Sequence, residues 1–323
     1  MELVSVVIPC FNVKPYLERC ISALQTQTYQ ELEILPVDDG STDGSCELLE
    51  NLAKQDARIH VLCQPENRGV CAARNLALEQ ATGQWVCFCD GDDWFEPSFV
   101  EKLLTCAHNE NADYVFCNYQ IVSDSKPPIV SGSVAGLKSG CDPREVIACG
   151  PTASCTHLIS MELFRKHGIS YPVGCKQYEE LPVIPVLAKY ARRIGVVDEP
   201  LYNYYQRGDG SSASNNTEDR TEVFLASWNC MKEALGEGYE AEAAYHAAYS
   251  LLYGETMKAC KAKKSNKQIR ELIEKCEKIC PDYMENPYIS KLGRAKLLYL
   301  NLVKHRFILG LRLLSWVHGV LVH

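Results

Sequence analysis

No Cys-x-x-Cys pair occurs anywhere in the 323 residues, although cysteine itself is abundant at seventeen. The odd count fits poorly with a complete disulfide framework. Most of these residues, Cys63, Cys87, Cys89 and Cys117 among them, sit inside apolar runs, where a free thiol behaves as a small hydrophobe. A reducing cytosol follows, with a metal or redox role as the lesser reading. No charged segment precedes a long apolar one at the N-terminus, so no signal peptide is expected. No apolar run reaches the ~20 residues of a membrane span, because Arg312 interrupts the last of them. No Gly-x-Gly-x-x-Gly follows a predicted strand, which argues against a dehydrogenase. Cys10–Lys14, after the first strand, has no glycine, whereas a nucleotidyltransferase would need a Gly-rich, Lys-containing phosphate loop there. The net charge of −8 argues against a general nucleic-acid binder.

What is present reads as an α/β protein. Apolar residues make up 46% and charged residues 23%, ordinary globular values. Leu3–Ile8 reads as a buried strand, and Leu17, Ile21 and Leu24 then recur at helical spacing. Leu32–Val37 is a second strand, followed by a helix over about Asp43–Lys54 and a strand over Ile59–Cys63. Val70–Ala81 is helical, Trp85–Cys89 a strand, Pro97–Asn109 a helix and Tyr114–Asn118 a strand. This β-α-β-α order predicts a mostly parallel sheet sandwiched by helices, with ligands bound beyond the carboxyl ends of the strands. Ser123–Asp142 turns to Ser, Gly, Pro and Lys and reads as a surface loop or a β excursion. After about Asn216 the pattern is helical (Thr221–Leu235, Glu240–Lys263, Asn266–Ile279). The expected division is a first domain over 1–215 and a helical extension over 216–323.

The polar clusters fall at the predicted strand ends. Pro9-Cys10-Phe11-Asn12 offers an aromatic and a short amide, a cradle suited to a planar base. In Asp38-Asp39-Gly40-Ser41-Thr42-Asp43 the two adjacent carboxylates repel unless something positive or hydrogen-bonding meets them. One would accept an N–H and the other brace the loop, while Ser41 or Asp43 suits a helix N-cap. Asp90-Gly91-Asp92-Asp93 places three carboxylates within four residues, an oxygen-only set that suits Mg²⁺ or Mn²⁺. Arg68 and Arg74 lie where they would meet either a phosphate or these carboxylates.

VSVVIPCFN, a Gln27-Thr28 turn, VDDGSTD, ENRGVCAARN and DGDDW, in this order and at these spacings, resemble the family 2 glycosyltransferases of the GT-A fold, of the bacterial polysaccharide type. The resemblance covers about Met1–Ser214 and implies an inverting, metal-dependent transfer from a nucleotide-sugar, most often a UDP-sugar. By resemblance, Pro9, Phe11, Asn12 and Asp39 contact the base and Arg74 lies near the donor. Asp92 and Asp93 hold ribose and the metal, with Asp90 beside them; the DGDD run offers two registers. Tyr178-Glu179-Glu180 occupies the place of the family's Glu-Asp motif, so Glu180 stands where an Asp base is usual. Leu201–Ser212 resembles a segment that implies Arg207 and Ser211 or Ser212 closing over the diphosphate. His157 lies in the region where the acceptor binds in this family.

The departure at position 180 leaves a rival, a non-catalytic nucleotide-sugar binder. The last segment adds a further expectation. Ser290–His323 has no Asp or Glu and interleaves Lys291, Arg294, Lys296, Lys304, Arg306 and Arg312 with Leu, Phe307 and Trp316. Such a segment reads as interfacial on a membrane, or as a packed helix with a basic stripe. The protein is accordingly expected in the cytoplasm, peripheral on the inner membrane face, acting on a carbohydrate or lipid-linked acceptor.

Overall fold

The computed structural model describes residues 2–131, 136–175, 177–207 and 220–322. Two compact units divide the chain, Met1–Ser212 and Ala213–His323. Among the described residues the first unit holds nine strands: β1 (Val4–Cys10), β2 (Leu32–Asp39), β3 (Leu62–Gln64), β4 (Trp85–Phe88), β5 (Trp94–Phe95), β6 (Tyr114–Ser123), β7 (Lys126–Ser131), β8 (His157–Ser160) and β9 (Ile194–Tyr205). Seven helices accompany them: α1 (Lys14–Gln25), α2 (Ser45–Ala53), α3 (Val70–Gln80), α4 (Phe99–Glu110), α5 (Pro143–Cys149), α6 (Met161–His167) and α7 (Ile184–Tyr190). The sheet runs β3-β2-β1-β4-β8-β6-β9-β5, with β7 paired to β6. Six strands run one way; β5, β7 and β8 are antiparallel to their neighbours.

Both sheet faces are apolar because both are covered. Val4, Val6, Ile8 and Cys10 of β1, with Cys87 of β4, join one core with Leu17, Ile21 and Leu24 of α1 and Phe99, Leu103 and Leu104 of α4. Phe88 points the other way, toward Phe164 of α6 and Tyr171. Period-two alternation thus sends successive β4 residues to different layers, so the strand reads as a continuous apolar run. Each fully buried Leu or Ile contributes roughly 1.5–3 kcal/mol.

Some boundaries differ from the sequence reading. The third strand is Leu62–Gln64 rather than Ile59–Cys63, and Ile59 makes only a single bridge to Ile34. As the sheet's edge strand, β3 leaves Cys63 exposed instead of buried. Of the two readings of Ser123–Asp142, the β excursion holds over Lys126–Ser131, where β7 folds back on β6.

The second unit is helical: α8 (Thr221–Leu235), α9 (Glu240–Ala247), a π-helical stretch over Ala248–Glu255, α10 (Thr256–Lys261), α11 (Asn266–Ile279), α12 (Arg294–Lys304) and α13 (Ile308–Val322). α11 opens on a capping box, in which Ser265 and Gln268 each satisfy the other's backbone N–H. Among the described residues no helix is long and apolar enough to cross a membrane.

Candidate active site

The loops after β1, β2, β3 and β4 meet at the carboxyl ends of those strands. Asn12 takes a left-handed φ of 51°, which an Asn tolerates better than most residues. Its N–H donates to Ser41 Oγ (3.0 Å) and its Oδ1 accepts from Thr42 N (2.9 Å). The amide expected at the base therefore braces the second loop. Asp43 serves two helix starts, accepting from Lys14 N of α1 and from Ser45 N of α2, both at 3.0 Å. Gly40 is required: at φ 71° its position would put a Cβ 2.7 Å from the Glu66 carbonyl carbon. That close approach brings the next loop onto Asp39. Asp39 Oδ1 accepts from Gln64 Nε2 (3.0 Å) and Arg68 N (2.8 Å), and Oδ2 from Gly69 N (2.8 Å). Asp38 is braced by Ser41 N at 3.1 Å.

A cleft of about 360 Å³ opens between these loops, walled by Pro9, Phe11, Asp39, Arg74, Asp90 and Asp92. Phe11 is 45% exposed, a ring presented to solvent at the rim. Arg74, from the first turns of α3, lines the cleft but is already paired. Its guanidinium meets Asp90 Oδ1 at 3.2 Å, Glu179 Oε1 at 3.1 Å and Glu180 Oε1 at 3.6 Å. Expected near the donor, Arg74 here ties the DGDD loop to the 178–180 turn.

Glu180 sits at that turn, just after Tyr178, whose φ of 58° is uncommon for a bulky residue. Its Oε1 accepts from Ser154 N at 2.6 Å. Burial pushes the Glu180 carboxyl up to about 7; Arg74 pulls it down, and the charges of Glu179 and Asp90 raise it further.

The three aspartates of DGDD separate into two roles. Asp90 and Asp92 face the cleft. Asp92 Oδ2 pairs with Arg207 Nη2 at 2.8 Å, and Arg207 lies 4.7 Å over the Tyr16 ring. Arg19 donates to the Asp92 carbonyl (2.8 Å) while sandwiched at 4.0 and 4.2 Å from the Trp94 and Tyr205 rings. Asp93, expected among the cation ligands, is 1% exposed. Its oxygens accept from the Tyr202 hydroxyl and from Tyr205 N at 2.7 Å. β9 has captured it, so it stands apart from the cleft pair.

His157, expected in the acceptor region, is a core residue. Its Nδ1–H donates to the Ala153 carbonyl (2.9 Å), so Nε2 accepts from Tyr114 Oη (2.9 Å), and burial holds its pKa down to about 3. Ser211 and Ser212 lie outside the described residues. Sequence reasoning missed Arg19, Tyr16 and Ser154. Tyr16 and Arg19 lie one helical turn apart in α1, but only the return of β9 gives them a partner.

Residues 5–168 match the family model described as glycosyl transferase family 2. The chain is 30% identical to the glycosyltransferase EpsJ of Bacillus subtilis across 78% of its own length and 72% of that protein. Among solved structures, S. aureus TarS in complex with UDP-GlcNAc shares the fold with a TM-score of 0.70 at 20% identity, covering 98% of this chain and 91% of that one. A mannosyltransferase from Pyrobaculum calidifontis, in complex with GDP-Man and Mn²⁺, gives a TM-score of 0.52 at 17% identity, over 94% and 86% of the two chains.

Proposed function

Since this chain belongs to glycosyl transferase family 2 and is a glycosyltransferase of the GT-A fold, we propose that it transfers a sugar from a UDP-sugar, with inversion and with a divalent cation, to a carbohydrate or lipid-linked saccharide. One observation carries the reading: Asp39, Asp90, Asp92 and Glu179 line one cleft, and Arg74 in its wall reaches Glu180, which Ser154 N also holds. UDP is favoured because it is the nucleotide of the TarS complexes.

The cleft residues fit a cation. Asp90 and Asp92 offer oxygen only, and burial together with the charge of Asp90 raises the Asp92 pKa, a repulsion that positive charge relieves. Mn²⁺ or Mg²⁺ held by Asp92, with Asp90 beside it, would supply charge neutralisation at the leaving diphosphate. Pro9, Phe11 and Asp39 bind the base, Asn12 supporting them through the loop it braces. Arg207 turns from Asp92 toward the diphosphate. Ser154 and Arg74 engage Glu180 Oε1, leaving Oε2 to take the proton of the acceptor hydroxyl as it attacks the anomeric carbon. Attack from the face opposite the nucleotide inverts that centre. Thermal-shift binding of UDP, GDP, CMP and dTDP, each with and without Mn²⁺, tests the reading. UDP with Mn²⁺ should raise Tm, at one hundred times Kd by the equivalent of about 2.7 kcal/mol. Stabilisation by none of the four would refute it.

The membrane part of the proposal rests on the second unit. In α13 Ile308, Leu311 and Ser315 are buried, whereas Leu309, Leu313 and Trp316 are more than half exposed, as are Phe307 and, nearly so, Leu298. The helix therefore has a packed apolar face and a bare one. Lys304, Arg306 and Arg312 flank it, although Arg306 also pairs with Glu277 (2.9 Å) and Arg312 with Asn266 (3.1 Å). Such a face suits the headgroup–acyl boundary of the cytoplasmic leaflet. At roughly 1.5–3 kcal/mol per buried side chain, the double variant Leu313→Ser, Trp316→Ser should partition onto anionic liposomes about 10²–10⁴-fold less. Unchanged sedimentation with liposomes would make the face ordinary surface.

A further inference from the structure

Outside the cleft, the described residues of the first unit bring two thiols and a carboxylate to one point. Cys46 and Glu50 lie one turn apart on α2, and Cys63 faces them from edge strand β3. The Cys46 and Cys63 sulfurs are 3.1 Å apart, and one ligand atom from each of the three residues lies within 4.8 Å of the others. Cys63 and Glu50 are exposed and Cys46 is partly so, unlike the thiols of the core. Among the described residues this is the one group of three such side chains that converges in this way.

We propose that Cys46, Glu50 and Cys63 bind a thiophilic divalent cation, Zn²⁺ being the best fit, with water in the fourth position. Two thiolates and a carboxylate around an open position suit a borderline-soft ion that prefers tetrahedral N, S and O ligands. The cleft offers the opposite chemistry: Asp90 and Asp92 present only hard oxygen, suited to Mg²⁺ or Mn²⁺. One domain thus carries two cation sites sorted by ligand softness. Binding deprotonates both thiols and releases two protons to solvent, with no change of oxidation state. The ion ties β3 to α2. Gln64, the residue after Cys63, donates to Asp39, so the clamp stiffens the strand end that holds the nucleotide wall.

Reduced full-length protein, stripped of metal, is titrated with Co²⁺ and then with Zn²⁺. One Co²⁺ per chain should give thiolate-to-cobalt charge-transfer absorption that Zn²⁺ abolishes by displacement. Cys63→Ser and Cys46→Ser should lose the band, and Glu50→Gln should bind about tenfold more weakly. Asp92→Asn should keep the band, since that carboxylate belongs to the other site. On the unmutated protein, Zn²⁺ should protect Cys46 and Cys63, but not the exposed Cys230, from alkylation read by mass spectrometry. A band that survives Cys63→Ser, or no protection of the pair by Zn²⁺, would overturn the proposal. So would reduced protein that takes up no cobalt while the untreated chain carries a Cys46–Cys63 disulfide.

Discussion

Glu180→Gln is expected to lower kcat by about 10³-fold, within the range set by loss of a general base, while leaving UDP–Mn²⁺ binding intact. The amide keeps an oxygen to accept the Ser154 N–H, so the turn survives, but it cannot take the acceptor proton. The pH profile is the sharper readout. With the Glu180 carboxyl pushed up to about 7, the active form is the carboxylate, so kcat/KM should rise about tenfold per pH unit below 7 and level off above it. In the Gln variant that slope should vanish. The stability effect has the opposite sign. A carboxyl whose folded pKa exceeds its unfolded value of 4.5 costs stability increasingly as pH rises from the unfolded toward the folded pKa. At pH 8, then, Glu180→Gln should melt no lower than the parent. Glu180→Asp pulls the carboxylate back by one bond length and should retain an intermediate rate. A Gln variant with full activity would remove Glu180 from the mechanism.

Asp92→Asn is expected to abolish the Mn²⁺-dependent part of UDP binding and to lower kcat/KM by about 10²–10³-fold, the usual loss when charge stabilisation at a leaving group is removed. Its neighbour should behave differently. Asp93→Ala strips the acceptor from the Tyr202 hydroxyl and Tyr205 N, leaving two buried donors unpaired. The cost is about 3 kcal/mol, or a fall in Tm of roughly 10 °C, with the metal dependence of nucleotide binding retained by the folded fraction. Thermal melts of both variants with UDP, with and without Mn²⁺, separate the two effects. If Asp93→Ala instead loses metal dependence at unchanged Tm, the assignment of Asp90 and Asp92 as the cleft pair is wrong.

Much of the architecture is written in local periodicity. Thr221–Leu235 and Asn266–Ile279 are helices with the residues their spacing predicts, and the first two strands and α3 lie within two or three residues of their expected limits. The motifs also marked the edge of the sheet where the cleft opens, because a parallel sheet sends its strand ends to one side. Helices and turns are legible since their determinants lie a few residues apart. β7 was legible only as one of two readings, a loop or a β excursion, because such a stretch becomes a strand only when β6 offers it a partner.

The sequence alone determined the α/β order, the family motifs and the acidic loops. Tertiary structure alone decided which side chains of those loops face the cleft. DGDD presents three equivalent carboxylates to any reading of adjacent residues. The pairing of β5 with β9, Trp94 with Asn203 and Phe95 with Tyr202, brings Tyr202 and Tyr205 across more than one hundred residues onto Asp93 and leaves Asp90 and Asp92 in the cleft. The same holds for Arg74, whose three carboxylate partners come from two distant loops, and for Cys63, which an apolar run suggested was buried and an edge position exposes. In each case the deciding term is a hydrogen bond or a burial set by residues far apart in the chain. Local pattern carries no information about such terms until the sheet has closed.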